Sequence, residues 1–214
     1  MRRTEVLVLG LCLFLTAGCK FVPTASKNEA SQGGAAKFDP EKMVADMWEP
    51  TVLPYLEKKA GDFSKVTALA REDAEVAGQK FGHKEKQGTS PWTVVVKLNG
   101  KIVAANTESR AGSINVDSNG DGNADARIQI GPVMRGTALR DCLDFVTFND
   151  FTNQIDFAQF GKAFNLHVDK NLTSKLPRDG LLGQHVSLLG AYPLVSPDEI
   201  PLITPATLKL SDAP

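Results

Sequence analysis

The chain has 214 residues, with 24 Lys and Arg against 25 Asp and Glu, and a formal net charge of −1. This near-neutral balance, without a basic stripe along the sequence, argues against nucleic acid as a partner. The length fits one domain around one hydrophobic core, once a separate N-terminal segment is set aside.

The N-terminus has the features of a secretory signal. Arg2 and Arg3 precede an apolar run from Val6 to Leu15, which is shorter than the roughly 20 residues that a permanent membrane helix needs. The letters LTAGC that follow are similar to the lipobox of bacterial lipoproteins. Cleavage of residues 1–18 would leave Cys19 as a lipidated N-terminus, and the net charge would become −2 because two Arg and one Glu are lost. An ordinary signal peptide with a chance cysteine is the alternative.

The residues after this cysteine predict a membrane tether. The segment 19–37 is small and polar without periodicity, so we expect a flexible linker. Acyl chains such as palmitate anchor a protein stably when several act together. Lys20 favours the outer membrane, because Asp at this position retains Gram-negative lipoproteins at the inner membrane. We therefore expect one soluble globular domain, residues 38–214, held in the periplasm by its lipid.

A layer of helices is predicted over residues 38–90. The first helix should begin at Pro40, because Asp39 is a good N-cap and proline fits the first helical position. The prolines of WEPTVLPYLEKK then predict a kinked or restarted helix. A further helix is expected over residues 64–80.

Residues 91–214 change to the alternation typical of strands, with Asn99–Gly100 as a hairpin or bend signal. Five strands are expected, at Trp92–Leu98 with its extension Lys101–Asn106, at Gly112–Asp117, Ala126–Ile130, His185–Leu189 and Ile203–Leu210. A helical insert, residues 137–176, separates the third strand from the fourth. This order predicts an α+β fold, an OB-fold-like small barrel of order β-β-β-α-β-β behind the helical layer. A generic α+β sandwich is the alternative, because hairpin pairing is not fixed by one sequence.

The insert contains an aromatic stripe and a cysteine. Apolar residues recur at helical spacing, which predicts packing against the core: Phe157, Phe160, Phe164, Val168 and Leu172. Cys142 lies among apolar residues and is predicted to be a small buried hydrophobe. It has no disulfide partner, since Cys12 leaves with the signal and Cys19 is acylated.

The densest polar cluster of the sequence also lies in this region and is the candidate ligand site. Arginine forks bind carboxylate, phosphate or paired sugar hydroxyls, and Asn, Asp and Gln bind sugar hydroxyls. The cluster consists of Arg135, Thr137, Arg140, Asp141, Asn149, Asp150, Asn153 and Gln154. The alternative is structural: Thr137 as an N-cap, Arg140 paired with Asp144 one helical turn on, and Asp150 as the cap of the next helix.

The stretch VDSNGDGNADAR resembles a calcium-binding loop. It follows the template D-x-[DN]-x-[DN]-G up to the sixth position, but Ile128 replaces the bidentate Glu at the twelfth. An EF-hand is therefore excluded, and a weak calcium site is the remaining metal prediction, with Asp117, Asn119, Asp121, Asn123 and Asp125 as ligands. The alternative is a tight turn between two strands, because Asn-Gly and Asp-Gly are turn dipeptides.

Strong enzyme signatures are missing from the sequence. His83, His167 and His185 have no metal-ligand spacing, and no nucleophile elbow, P-loop or CxxC motif is present. We therefore favour a protein that is not an enzyme and has no cofactor.

Several long strings of this chain are similar to one bacterial family. They are GPVMRGTALRD, FNDFTNQIDFA, the preceding NGDG turn and LLGQHVSLLGA. The family is that of predicted periplasmic lipoproteins, a domain of unknown function. The resemblance implies a lipid-anchored envelope protein, often encoded beside sugar-type ABC transporters, with no assigned activity. Together these observations favour a binding or accessory protein of a transport system, which would bind a small polar ligand or dock on a transporter component. The alternatives are a glycan-directed hydrolase that uses Asp141 or Asp150, and a structural or assembly lipoprotein.

Overall fold

Five strands close into a barrel in the computed structural model of the chain, which describes residues 38–85, 89–196 and 198–212. The predicted signal peptide, Cys19 and the tether lie outside these residues. The strands are β1 (Thr93–Asn106), β2 (Ser113–Asp117), β3 (Ala126–Gln129), β4 (His185–Pro193) and β5 (Leu202–Ser211). Their order is β1-β2-β3-β5-β4, and β4 pairs back onto β1 to close the barrel. Only the β3–β5 pair is parallel among these neighbours. The predicted OB-fold order is confirmed.

The first strand is longer than expected and explains how the barrel closes. β1 pairs with β4 from Thr93 to Lys101 and with β2 from Lys101 to Asn106. It runs through Asn99–Gly100 without a turn, so the hairpin reading of this dipeptide is wrong. Glycine is needed there for another reason: a Cβ on Gly100 would collide with the carbonyl oxygen of Asp117 on the neighbouring strand.

The helices precede the barrel and fill the insert. They are α1 (Pro40–Met47), α2 (Leu53–Lys59), α3 (Phe63–Glu72), α4 (Ala74–Phe81), α5 (Ala138–Asp141) and α6 (Gln154–Asn171). Asp39 caps α1 as predicted, since its carboxylate accepts a hydrogen bond from the amide of Lys42 at 3.0 Å. A π-helical turn at Trp48–Val52 joins α1 to α2 with the backbone helical throughout, so the regular α-helix is interrupted at the prolines but does not restart from a new cap.

The single helix predicted over residues 64–80 is divided at Asp73. This residue is extended, with φ −154°, and its carboxylate accepts hydrogen bonds from the amides of Glu75 and Val76, both at 3.0 Å. The side chain thus starts α4 as its N-cap. Hydrophobic spacing continues across the break, so periodicity alone does not reveal it.

Two apolar cores share the strand β1. Val94 and Val96 point into the barrel, whereas Val95 packs under the helices outside it, and all three are fully buried. The outer core also holds Phe160, Phe164 and Val168 of α6, so their predicted packing role is confirmed, whereas Phe157 of the same predicted stripe is only partly buried and lies outside this core. Burial on both faces explains why this strand is a continuous run of valines.

Cys142 is fully buried in the outer core, as predicted. Its burial raises the pKa of the thiol far above the usual range, which keeps it protonated and unreactive. The described residues form one compact unit. Among the residues that the structure describes, no helix has the length and apolarity required to cross a membrane.

Candidate functional site

A cleft of about 610 Å³ opens between the helical layer and one end of the barrel. Its walls come from α3, from the β4–β5 connection, from the β2–β3 loop and from residues 135–141. This volume falls within the range of roughly 300–1,000 Å³ that is typical of small-molecule sites. Such sites usually have a mostly apolar surface with a few convergent polar groups. The exposed surface of this cleft is largely apolar, although more than half of its lining residues are polar or charged.

Two buried hydroxyl groups form part of the cleft lining. Tyr192 at the end of β4 and Thr93 at the start of β1 are each only 3% exposed. Neither side chain has a hydrogen-bond partner among the residues that the structure describes. Among the described residues, only Asn165 Oδ1 is a side-chain oxygen or nitrogen that is both fully buried and without a hydrogen-bond partner. The hydroxyl oxygens of Tyr192 and Thr93 are therefore not fully buried. Both residues therefore bring a hydroxyl without a protein partner to the cleft lining, and Thr93 also lines a smaller neighbouring pocket.

Burial raises the pKa of the Tyr192 phenol far above its usual range. The positive charge of Arg71 acts on the pKa of the same phenol in the opposite direction. The phenol stays protonated at physiological pH and can donate a hydrogen bond into the cleft. The ring centroids of Tyr192 and Phe63 lie 6.4 Å apart, and Phe63 forms part of the apolar lining beside the phenol.

Two arginines line the cleft. Arg71 belongs to α3 in the helical layer, and Arg135 follows β3 of the barrel. Both are exposed, and neither guanidinium has a hydrogen-bond or ion-pair partner in the described part of the chain. Arg135 was predicted as a ligand-binding residue and lies in the cleft. Arg71 was not predicted, because nothing near it in sequence marks it.

The backbone of Arg135 is fixed to the barrel by a buried amide. Gln129, which is 5% exposed, accepts a hydrogen bond from Arg135 N at 2.7 Å and donates one to Arg135 O at 3.1 Å. The same Gln129 Nε2 donates to Thr204 Oγ1 at 2.9 Å. Thr204 is buried on β5 and lines the cleft, so the amide ties this arginine to the floor of the site.

Arg140 is held in a local network and lines the smaller neighbouring pocket, not the cleft. Its Nη2 lies 2.5 Å from Asp141 Oδ1, its Nη1 donates to Phe157 O at 2.9 Å, and its guanidinium covers the Phe157 ring at 3.8 Å. Thr137 Oγ1 donates to Asp141 Oδ2 at 2.6 Å and closes the network. Asp141 and Thr137 line the cleft, but their polar groups are already occupied.

The predicted pairing of Arg140 with Asp144 is wrong. The helix α5 ends at Asp141, so Asp144 does not lie one helical turn beyond the arginine. The adjacent carboxylate of Asp141 takes its place, and the Arg140 side chain is only 11% exposed.

The remaining candidates of the polar cluster do not line the cleft. Asp150 belongs to a short 3-10 helix, where its carboxylate accepts a hydrogen bond from the amide of Thr147 at 2.7 Å. It does not cap the next helix; Asn153 does, by accepting from Ile155 N and Asp156 N. Asn149 and Gln154 are exposed on these two elements. The structure thus divides the predicted cluster into a cleft part and a capping part.

The loop between β2 and β3 is stabilised by its own hydrogen bonds. The carboxylate of Asp117 accepts from the amides of Asn119, Gly120 and Gly122, at 3.1, 2.7 and 2.8 Å. These bonds hold the pKa of Asp117 below its usual range, with the amide of Gly122 as the largest cause. Asp125 Oδ2 accepts from both the amide and the hydroxyl of Ser118. The loop therefore turns the chain with its polar groups satisfied.

Three residues of this loop, Ser118, Asn119 and Asp125, also line the cleft, whereas Asp117, Asp121 and Asn123 do not. Asp121 Oδ1 accepts from the amide of Asn123 at 2.7 Å. Within residues 38–85, 89–196 and 198–212, no group of three or more His, Cys, Asp and Glu side chains could hold a metal ion. Calcium also binds Asn side chains and backbone carbonyls, so the weak calcium site stays a prediction.

The histidines stand apart from the cleft. His83 lines a smaller neighbouring pocket of about 150 Å³, and burial lowers its pKa. His167 stacks against Trp48 with ring centroids 4.4 Å apart, and burial lowers its pKa as well. Both are explained by packing.

The closed barrel with strand order β1-β2-β3-β5-β4 defines an OB fold with an added helical layer. A crystal structure of an OB-fold protein from Thermotoga maritima is similar to this chain, with a TM-score of 0.63 and 20% sequence identity. The similarity covers 82% of this chain and 100% of that one, and it shows the fold alone. No curated protein matches the chain.

Residues 9–209 match the model of the family described as Predicted periplasmic lipoprotein (DUF2291), and the chain belongs to this family. That description agrees with the predicted lipid anchor and with a periplasmic location.

Three of the groups that shape the cleft were missed at the sequence level: Arg71, Thr93 and Tyr192. They come from a helix and two strands far apart in the chain, and only the closed barrel brings them together. The sequence offered one indication of these groups, the rarity of tyrosine: Tyr192 is one of only two tyrosines in the protein.

Proposed function

We propose that this protein is a lipid-anchored periplasmic binding protein that holds a small polar ligand in the cleft between α3 and the barrel. The observation that supports the proposal is the pair of buried cleft residues, Tyr192 and Thr93, whose hydroxyls have no hydrogen-bond partner in the described chain and are not fully enclosed. A bound ligand can accept or donate hydrogen bonds at these two hydroxyls.

The proposal includes the anchor and the partner. Cys19 carries the lipid, Lys20 directs the protein to the outer membrane, and the partner is a component of a sugar-type ABC transport system. The family description supports the anchor in general terms. The transporter partner has its support in the family resemblance of the sequence.

No specific observation favours the hydrolase alternative. Asp141 is bound by Arg140 and Thr137, and Asp150 caps a short 3-10 helix and does not line the cleft. The assembly alternative would need a broad exposed apolar surface. Two of the exposed apolar residues, Val195 and Ile200, instead lie at the cleft on the β4–β5 connection.

A pair of matched substitutions on α3 tests the proposal. Ala70 lines the cleft, whereas Ala68 is exposed on the same helix and does not. The full chain in lipid nanodiscs would be screened by calorimetry against small polar compounds. Ala70→Phe should abolish binding of every compound that the wild type binds, and Ala68→Phe should retain it. Binding that survives Ala70→Phe unchanged would contradict a ligand site in this cleft.

A further inference from the structure

The hydrogen-bonding groups that remain available in the cleft are mostly donors. Asp141 already receives hydrogen bonds from Arg140 and Thr137, and Asp125 from Ser118 and Asn119. Their lone pairs are therefore largely used within the protein. The exposed Glu199 is the remaining acid of the lining.

The unpaired groups carry a positive charge excess. Arg71 and Arg135 each present a guanidinium of five N–H donors and no acceptor. Neither is neutralised by a carboxylate within the described residues, in contrast to Arg140, which is paired with Asp141 and does not line the cleft. The hydroxyls of Tyr192 and Thr93 can also donate into the same space.

The body of the cleft is apolar. Phe63 is 5% exposed and lies beside Tyr192, and Leu194, Ile200 and Leu202 continue this surface along the β4–β5 connection. A ligand with an acceptor-rich, negatively charged end and an apolar body therefore matches this cleft better than a neutral polar ligand, which cannot use the charge of the two arginines.

We infer that the ligand is a small amphipathic organic anion, whose carboxylate or phosphate binds between Arg71 and Arg135 while its body packs against Phe63 and Leu194. Planar guanidinium groups bind carboxylate and phosphate with paired hydrogen bonds, so both anions satisfy the same geometry. Tyr192 and Thr93 donate to the anion or to a polar substituent next to it. This inference rests on the proposed function, since it specifies what the same cleft binds.

Three matched probes test the charge requirement: 3-phenylpropionate, phenyl phosphate and the neutral 3-phenylpropanamide. Titration calorimetry with the full chain in nanodiscs would measure each dissociation constant. At least one anion should bind at least tenfold more tightly than the amide, and the preferred anion distinguishes a carboxylate ligand from a phosphate ligand. Affinity for that anion should fall as the salt concentration rises, because the arginines are exposed and screened.

Substitutions connect this preference to the two arginines. Arg71→Ala and Arg135→Ala should each weaken anion binding at least tenfold, and Arg110→Ala should not, since Arg110 is exposed outside the cleft. If a variant fails to fold, judged by its melting temperature, the corresponding Gln substitution replaces it. Equal binding of amide and anions would overturn the anion inference and leave the proposed function standing. Absence of binding by all three probes would also overturn the anion inference, whereas the proposed function fails only if Ala70→Phe leaves ligand binding unchanged.

Discussion

The buried side chain of Gln129 fastens the backbone of Arg135 on both sides, with one hydrogen bond of 2.7 Å to its amide and one of 3.1 Å to its carbonyl. A β3 residue of the barrel thereby positions an arginine of the cleft. The bond from Gln129 to Thr204 extends the connection across to β5. Through these contacts the barrel holds the cleft wall in place.

Replacing Gln129 by Leu should destabilise the protein by about 1–3 kcal/mol, because the amide and carbonyl of Arg135 lose their partner. Urea unfolding would measure the change in the free energy of unfolding. Thr204→Val removes only one partner of Gln129 and should cost less, about 1 kcal/mol. A Gln129→Leu variant as stable as the wild type would show that this fastening contributes nothing.

The two tyrosines should respond differently to loss of their hydroxyls. Tyr192→Phe should change the free energy of unfolding by no more than about 0.5 kcal/mol, because its oxygen has no partner within the described residues. Tyr55→Phe should cost about 1 kcal/mol, because its oxygen donates to Cys142 O at 3.2 Å and accepts from Asp144 N at 3.3 Å. Thermal and urea unfolding of both variants provide the comparison. A large loss of stability in Tyr192→Phe would indicate that the phenol serves the fold.

Asp117 should make stability depend on acid pH. Its folded-state pKa is depressed by amide hydrogen bonds, so its stabilising effect is present above the unfolded-state pKa of about 3.9 and is lost as pH falls through the folded value. Asp117→Asn should therefore be less stable than the wild type at neutral pH, and the difference should shrink on acidification. Urea unfolding across this range measures it, with the exposed Asp179→Asn as control. A difference independent of pH would contradict the role of the carboxylate.

The β2–β3 loop should keep its turn without a metal, because three amides already satisfy Asp117. Calcium at about 5 mM exceeds the dissociation constants of weak extracellular sites, which reach the millimolar range. We expect this concentration to leave the melting temperature unchanged. Magnesium at the same concentration is the control for ionic strength. A calcium-specific rise that disappears in Asp121→Ala would instead establish the weak site that the sequence template predicts.

The sequence was most informative where local periodicity and tertiary structure agree. The strand order around the long insert predicted the OB barrel, and the spacing of Phe160, Phe164 and Val168 predicted which face of α6 is buried. Asn99–Gly100 was misleading, because the glycine is required by the close approach of β2 and not by a turn. The break at Asp73 was hidden, because apolar spacing continues across it while a carboxylate restarts the helix.

The candidate site was predicted in part. Arg135, Thr137 and Asp141 do line the cleft, and they were found because they lie together in sequence. Arg140 was placed among them on the same grounds, but its neighbour Asp141 binds it. Arg71 and Tyr192 were not found, because their proximity arises only when α3 packs against the end of the barrel.

The most direct test of the cleft as a binding site is amide chemical-shift mapping of the ¹⁵N-labelled full chain during titration with 3-phenylpropionate. We predict saturable shifts at Arg71, Arg135 and Tyr192, with none at Asn171 at the far end of α6. Saturable shifts confined to other parts of the surface, with these three amides unchanged, would contradict the account.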